Sequence, residues 1–108
     1  MLSIKWKNKL SRKGFNTDII EYDRWKDDDG NHCETFVNTE NANTLYRIGN
    51  YVMIAIPGGK SVEYIIEEGQ YIMNTIEKLL YDWDVIVPIK DRSLEQLNNY
   101  FLEYFESN

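Results

Sequence analysis

The chain has 108 residues, 43% of them hydrophobic and 28% charged, which is the composition of one folded domain and excludes a disordered segment. Its single cysteine, Cys33, excludes an internal disulfide, and no apolar run approaches the ~18 residues of a membrane span. The N-terminus has charge without the apolar stretch of a secretion signal. We therefore expect a cytoplasmic protein with no membrane association.

Charge is distributed unevenly along the chain. Residues 1–13 carry five basic residues and no acid, whereas residues 61–108 carry ten acids against three basic residues. The C-terminal part therefore accounts for the whole net charge of −6. Such a local field attracts a basic partner and repels a polyanion such as nucleic acid.

The opening segment predicts a strand, because Leu2, Ile4 and Trp6 alternate with polar residues, although lysine-rich stretches can also be helical. Three lysines would share the polar face of this strand: Lys5, Lys7 and Lys9. They could contact nucleic-acid phosphates, pair with an acidic surface of a second copy, or simply protect an exposed sheet edge. The acidic net charge makes nucleic-acid binding the weakest of these alternatives.

Two hairpins follow. Residues 17–26 and 32–38 flank Asp29-Gly30, which predicts a two-residue turn that pairs Trp25 with Glu34 and Tyr22 with Val37. This register predicts a core face made of Ile20, Tyr22, Cys33, Thr35 and Val37. Residues 38–44 read as a loop, and Gly49-Asn50 predicts a second turn before a central strand over 51–56.

The second half predicts mostly helix. Ser61 can cap a long helix that extends to Trp83 and carries an apolar stripe at helical spacing, with Gly69 inside it. Residues 85–88 predict a short extended segment, and Ser93 with Gln96 predicts the capping box of a last helix. The expected fold is therefore a single α+β domain over residues 1–108. It would contain an antiparallel sheet of about four to five strands, with one long and one shorter C-terminal helix.

The turn after the central strand resembles the end of a phosphate-binding loop. It consists of Pro57, Gly58, Gly59, Lys60 and Ser61. A Walker-type loop needs a further glycine at position 54, where this chain has Ile54. We expect an ordinary turn into a helix, in which Gly58, Gly59, Lys60 and Ser61 could hold one small anion weakly.

No metal or catalytic motif fits its required spacing. An EF-hand calcium loop with Gly30 in its place would need a carboxylate where Trp25 stands, and structural zinc needs more Cys and His than the one of each present. On a strand, His32 and Cys33 point to opposite faces and cannot form a nucleophilic pair. We expect no metal, no cofactor and no enzymatic activity.

The far side of the predicted long helix is the candidate binding surface. Tyrosines and acids fall there or at its end: Tyr64, Glu67, Glu68, Tyr71, Asp82 and Asp84. Tyrosine is enriched at interface hot spots, and acids speed the encounter with a basic partner. The competing interpretation is that the last helix covers Tyr64 and Tyr71 as a second core layer.

Three functional hypotheses follow. The first is a small acidic protein that occludes a basic target, as immunity proteins or anti-defence inhibitors do with nucleases and nucleic-acid enzymes; this analogy rests on size and charge alone. The second is an assembly subunit, such as a homodimer. The third is a small-anion domain built on residues 58–61. The first is preferred.

Overall fold

The computed structural model describes residues 2–59 and 61–86 and shows an α+β fold. Its elements are α1 (Ile4–Arg12), a short 3-10 helix (Thr17–Ile19), β1 (Ile20–Lys26), β2 (His32–Asn38), β3 (Thr44–Ile48), β4 (Tyr51–Ala55), β5 (Ser61–Ile65) and α2 (Ile72–Asp82). The strands form one antiparallel sheet in the order β1-β2-β3-β4-β5. The predicted fold class is confirmed, but α1 precedes the sheet.

The opening segment is a helix, so the strand prediction is wrong. Ser3 is the N-cap, and its hydroxyl accepts a hydrogen bond from the backbone N–H of Trp6 at 3.3 Å. Trp6 and Leu10 lie one turn apart on the buried side of α1. Apolar residues occupy alternate positions of this segment only as far as Trp6. The next apolar residue, Leu10, follows Trp6 by four positions, and this helical spacing lets both side chains reach the core.

The β1–β2 hairpin is present, but its register differs by one residue from the prediction. Trp25 pairs with Cys33 and Tyr22 with Phe36. The loop is wider than expected because the carboxylate of Asp27 accepts hydrogen bonds from the backbone N–H groups of Asp29 and Asn31, at 3.0 and 2.8 Å. Gly30 completes this loop with φ +81.

The register shift changes which side of β2 meets the helices. A slip of one residue turns every side chain of a strand to the opposite face. Glu34, Phe36 and Asn38 therefore lie beside Ile20 and Tyr22 and are buried with them. The predicted placement of Cys33, Thr35 and Val37 on that face is wrong.

The second hairpin confirms its prediction. Ile48 pairs with Tyr51 across Gly49 and Asn50, and Gly49 has φ +58. Strand β4 lies between β3 and β5 and buries Val52 and Ile54.

The predicted long helix over 61–83 is only half correct. Residues Ser61–Ile65 form β5, whose alternating side chains pair with β4 from Ala55 to Tyr51. The short turn after Ile56 returns the chain antiparallel, so backbone pairing with β4 replaces the helix cap expected at Ser61. Helix α2 begins at Ile72, after Gly69 with φ +90.

The chain after α2 turns back onto the core. Val85 and Ile86 are buried, and their N–H groups donate to the carbonyl of Leu80 at 2.8 and 3.0 Å, so this part of the predicted extended segment is a helix-terminal turn. Residues 87–88 and the predicted last helix with Ser93 and Gln96 lie outside the described residues.

Both described helices pack on one side of the sheet, which we call the inner face. Its strand residues are Ile20, Tyr22, Arg24, Lys26, His32, Glu34, Phe36, Asn38, Leu45, Arg47, Val52, Ile54, Val62 and Tyr64. The ring of Trp6 on α1 meets Phe36 edge-on, with centroids 5.1 Å apart. Ile76 and Leu80 of α2 belong to the same buried cluster.

Asparagines in the β2–β3 loop hold the end of α2 against the sheet. The side-chain amides of Asn38 and Asn41 both donate to the carbonyl of Asp84, each at 3.2 Å. The amide of Asn43 donates to the carbonyl of Trp83 at 3.1 Å. Carbonyl groups at the C-terminus of a helix have no following helical turn to donate hydrogen bonds to them. The three asparagine amides provide hydrogen bonds at this end of α2.

Candidate functional site

The predicted partner-binding tyrosines do not lie on one helical face. Tyr64 is on the inner face of β5, half-buried against the core, and its hydroxyl accepts a hydrogen bond from the Gln70 amide at 3.0 Å. Tyr71 precedes α2 and is 57% exposed. The helical face that would have aligned them does not exist, because residues 61–65 are a strand.

The predicted acids are also separated. Glu67 and Glu68 are exposed in the β5–α2 connection, whereas Asp82 and Asp84 lie at the opposite end of α2. With 11 residues, α2 is about 16 Å long. Asp82 forms an ion pair with Lys78 at 2.5 Å. The four acids are therefore placed in two groups rather than on one helical face.

The predicted anion-binding turn lacks the helix on which it depended. Gly58 and Gly59 are exposed in the β4–β5 turn, and Ser61 begins a strand. Lys60 lies outside the described residues. Without a helix N-terminus, no set of aligned N–H groups faces this turn from residue 61 onward.

The predicted strip of three lysines is not formed. On a helix, Lys7 points about 200° away from Lys5, whereas Lys9 returns to the side of Lys5. Lys9 is already engaged with α2, since its ammonium donates to Asn74 at 2.5 Å and lies 3.5 Å from the Glu77 carboxylate.

The acidic hairpin tip is organised by Asp27. Hydrogen bonds from the backbone and side chain of Asn31 lower the pKa of Asp27. His32 and Cys33 point to opposite faces of β2, and His32 is exposed whereas Cys33 is buried. Within residues 2–59 and 61–86, no three potential ligands among His, Cys, Asp and Glu gather around a common point.

Glu34 is the polar centre that sequence reasoning missed. It lies on the inner face of β2 and is only 4% exposed. One carboxylate oxygen accepts from the indole N–H of Trp6 at 2.9 Å and the hydroxyl of Tyr22 at 2.5 Å. The other accepts from Nε and a terminal nitrogen of Arg47, at 2.8 and 2.5 Å. We call these four residues the Glu34 cluster.

The cluster holds Glu34 ionised. Burial by itself would raise the pKa of Glu34, but the hydrogen bonds from Tyr22, Arg47 and Trp6 and the charge of Arg47 together lower it. The pKa of Tyr22 is raised well above its usual range, first by burial and then by its hydrogen bond to Glu34 and the negative charge there.

The geometry gives Glu34 a positioning role. A carboxylate has about four acceptor sites, and four donors already occupy those of Glu34. It therefore has no free lone pair with which to accept a proton from a substrate. Its contacts instead join α1 to three strands of the sheet.

The outer face of the sheet is the second candidate. Its strand residues are Glu21, Asp23, Trp25, Cys33, Thr35, Val37, Thr44, Tyr46, Ile48, Tyr51, Met53, Ala55, Ser61, Glu63 and Ile65. The rings of Trp25 and Tyr46 meet across β2 with centroids 6.0 Å apart. Trp25 remains 38% exposed and Ile65 59% exposed.

Strand alternation separates the charges between the two faces. Within the described strands, the charged side chains on the outer face are all acidic: Glu21, Asp23 and Glu63. Glu63 accepts a hydrogen bond from the Tyr51 hydroxyl, which raises the pKa of Tyr51. The inner face of these described strands instead carries three basic residues, Arg24, Lys26 and Arg47, and one acid, the buried Glu34.

Neither described helix has the length and apolar character needed to cross a membrane. Comparisons with known protein families, with curated proteins and with solved structures gave no match for this chain.

Proposed function

We propose that the protein is a non-enzymatic acidic binding protein that occludes a basic protein target. The target class that best suits it is a nuclease or another nucleic-acid enzyme, because such enzymes bind phosphates through surfaces rich in lysine and arginine. The mechanism is steric and electrostatic: the acidic protein covers the surface that would contact nucleic acid.

The outer face is the observation that supports this proposal. Its apolar side chains, apart from the buried Cys33, are exposed or half-buried, and they are accompanied by carboxylates and, within the described strands, by no basic residue. The described helices leave it uncovered, since α1 and α2 both pack on the inner face. Large patches of this kind on a folded protein are typical of interaction sites.

In the proposed interface, aromatic residues supply binding energy and acidic residues attract the target. Trp25 and Tyr46 form a paired aromatic anchor, and aromatic residues near the centre of an interface often dominate its binding energy. Asp23 on β1 and Glu63 on β5 lie towards opposite edges of the sheet. Their charges would steer a basic surface onto the aromatic centre, and added salt would slow this association.

The test begins with capture from native host lysate at low and high salt, followed by identification and purification of the bound protein. The dissociation constant of the complex between this target and the native chain is then measured. It is compared with the constants for the double variant Asp23→Lys/Glu63→Lys and for Trp25→Ala. The matched control is Asp18→Lys/Glu40→Lys, which makes the same charge change at exposed positions outside the strands of the outer face.

We expect the outer-face variants to weaken binding at least tenfold, corresponding to about 1.4 kcal/mol or more, while the control retains most of the affinity. Equal losses in both double variants would show attraction by net charge alone and would contradict the assigned face. A clean dimer mass for the free protein, without any basic partner, would favour self-assembly instead.

A further inference from the structure

A cleft of about 280 Å³ opens on the inner face, beside the Glu34 cluster. The start of α1, strands β1 to β3 and the start of α2 form its walls. Its polar lining includes Lys5, Arg24, His32 and Arg47 above the buried carboxylate of Glu34. It lies on the opposite side of the sheet from the surface in the proposed function and does not depend on it.

The cleft carries excess positive charge in a protein whose net charge is −6. Glu34 compensates Arg47, with which it forms its ion pair. Lys5 and the guanidinium of Arg24 have no carboxylate partner among the described residues. Among the described residues, two positive charges at the walls of the cleft therefore remain without a carboxylate partner.

The Glu34 cluster prepares the cleft for an anion and not for a cation. All four acceptor sites of Glu34 are occupied, so the carboxylate offers nothing to a bound cation. Two of these hydrogen bonds come from the Arg47 guanidinium, which also donates to the Gly49 carbonyl at 2.8 Å. Three contacts therefore hold the guanidinium in one orientation. A pre-positioned guanidinium loses less entropy on binding an anion.

Helix α1 adds to the positive field. Its N-cap, Ser3, also lines the cleft, and its first turn contains no acidic residue. A helix N-terminus carries roughly half a positive elementary charge and favours nearby anions. The helix dipole and the charges of Lys5 and Arg24 therefore act in the same direction.

The remaining wall is apolar. Trp6, Ile72 and Met73 line it, which suits an organic body attached to the anionic group. The volume is at the lower limit of small-molecule sites, so the ligand must be small.

We propose that this cleft binds a small phosphate monoester, with its phosphate at Lys5, Arg24 and Arg47 and its organic part against Trp6 and Met73. A phosphate monoester carries about −1.5 to −2 charge near neutral pH, which matches the combined charge of Lys5 and Arg24. A monocarboxylate would neutralise only half of this charge.

Phenyl phosphate is the probe, and the readout is the ¹H–¹⁵N spectrum of the full chain. The three tryptophans give separate indole signals, and Trp25 on the outer face serves as an internal reference. We expect phenyl phosphate to shift the Trp6 indole signal in a saturable manner and to leave the Trp25 signal unchanged. Phenol should have no effect, and inorganic phosphate should bind more weakly because it lacks the apolar part.

The double variant Lys5→Gln/Arg24→Gln should weaken binding of phenyl phosphate about tenfold or more, because it removes the positive charges of both side chains. The control Lys7→Gln removes one charge from another side of α1 and should change affinity less than twofold. The changed residues are exposed, so all variants should keep the native spectrum. Absence of a Trp6 shift, or equal weakening in variant and control, would overturn the assignment.

Discussion

Trp6 on α1 donates its indole N–H to the carboxylate of Glu34 on β2 at 2.9 Å, across 28 positions of sequence. The same carboxylate binds Tyr22 of β1 and Arg47 of β3. A single buried acid therefore connects the N-terminal helix with three adjacent strands. Removal of its charge should affect the fold more than loss of any surface ion pair.

We predict that Glu34→Gln lowers the free energy of unfolding by about 2–3 kcal/mol. The substitution keeps the size of the side chain but replaces an ionised acceptor with an amide, which leaves Arg47 without its counter-charge. This loss of stability is smaller than that for a fully buried ion pair, because the Arg47 side chain is 11% exposed and water can partly solvate its charge. Urea denaturation, with the slope m compared between variants, measures the change.

The control for this substitution is Glu21→Gln, which makes the same chemical change on the exposed outer face of β1. It should alter stability by no more than about 0.5 kcal/mol. A similar loss in the two variants would mean that Glu34 contributes no more than a surface acid.

The contribution of Glu34 should disappear in acid. Its folded-state pKa is lowered, so the stabilisation is present above the unfolded value of about 4.3 and is lost as pH falls through the folded value. The stability difference between the native chain and Glu34→Gln should therefore narrow below about pH 4. Denaturation at a series of pH values tests this, and a difference that stays constant into acid would contradict it.

Tyr22 should produce the opposite dependence. Burial, then the hydrogen bond to Glu34 and its charge, raise the pKa of Tyr22. Its contribution is present below the unfolded value of about 10 and is lost as pH rises towards the folded value. The stability difference between the native chain and Tyr22→Phe should narrow above about pH 10, measured by urea denaturation in alkaline buffers. A difference that widens there would exclude the Tyr22–Glu34 hydrogen bond.

The β1–β2 loop contains Gly30 in a left-handed conformation. Its φ of +81 disfavours any residue with a Cβ, while the space around it is open, so Gly30→Ala should cost about 1 kcal/mol through backbone strain alone. Asp28→Ala, in the same exposed loop but without a positive φ, is the control and should be nearly neutral. Thermal unfolding of both variants gives the comparison. An equal loss of stability in the two variants would show that the positive φ at Gly30 is not the cause.

Local chemistry in the sequence was sufficient for part of the fold. Gly49-Asn50 between two apolar runs predicted the β3–β4 hairpin, and the stripe that includes Ile76 and Leu80 predicted α2. The segments that were misassigned, residues 2–9 and 61–71, have periodicity that fits more than one element. There the contacts of Trp6 with Phe36 and of β5 with β4 decide between helix and strand.

The candidate site shows why register matters. In the observed pairing Glu34 lies directly opposite Arg47, an acid and a base on a core-facing position. With the correct β1–β2 register, this pair would have been visible as a polar feature of the core. The predicted two-residue loop turned Glu34 outward, and the hydrogen bonds of the Asp27 side chain that widen the loop have no simple sequence signature.

The amino-acid sequence by itself determined an α+β fold with hairpins at Asp29-Gly30 and Gly49-Asn50, because turn chemistry and apolar periodicity are local properties. Only the tertiary structure decided that Glu21, Asp23 and Glu63 face one side of the sheet and that Arg24 and Arg47 face the other. It also decided that Glu34 is buried among Trp6, Tyr22 and Arg47. These features depend on register and on long-range packing. A shift of one residue along β2 would turn each of its side chains to the opposite face of the sheet. Strand propensity is the same in both registers, so the local sequence does not distinguish them.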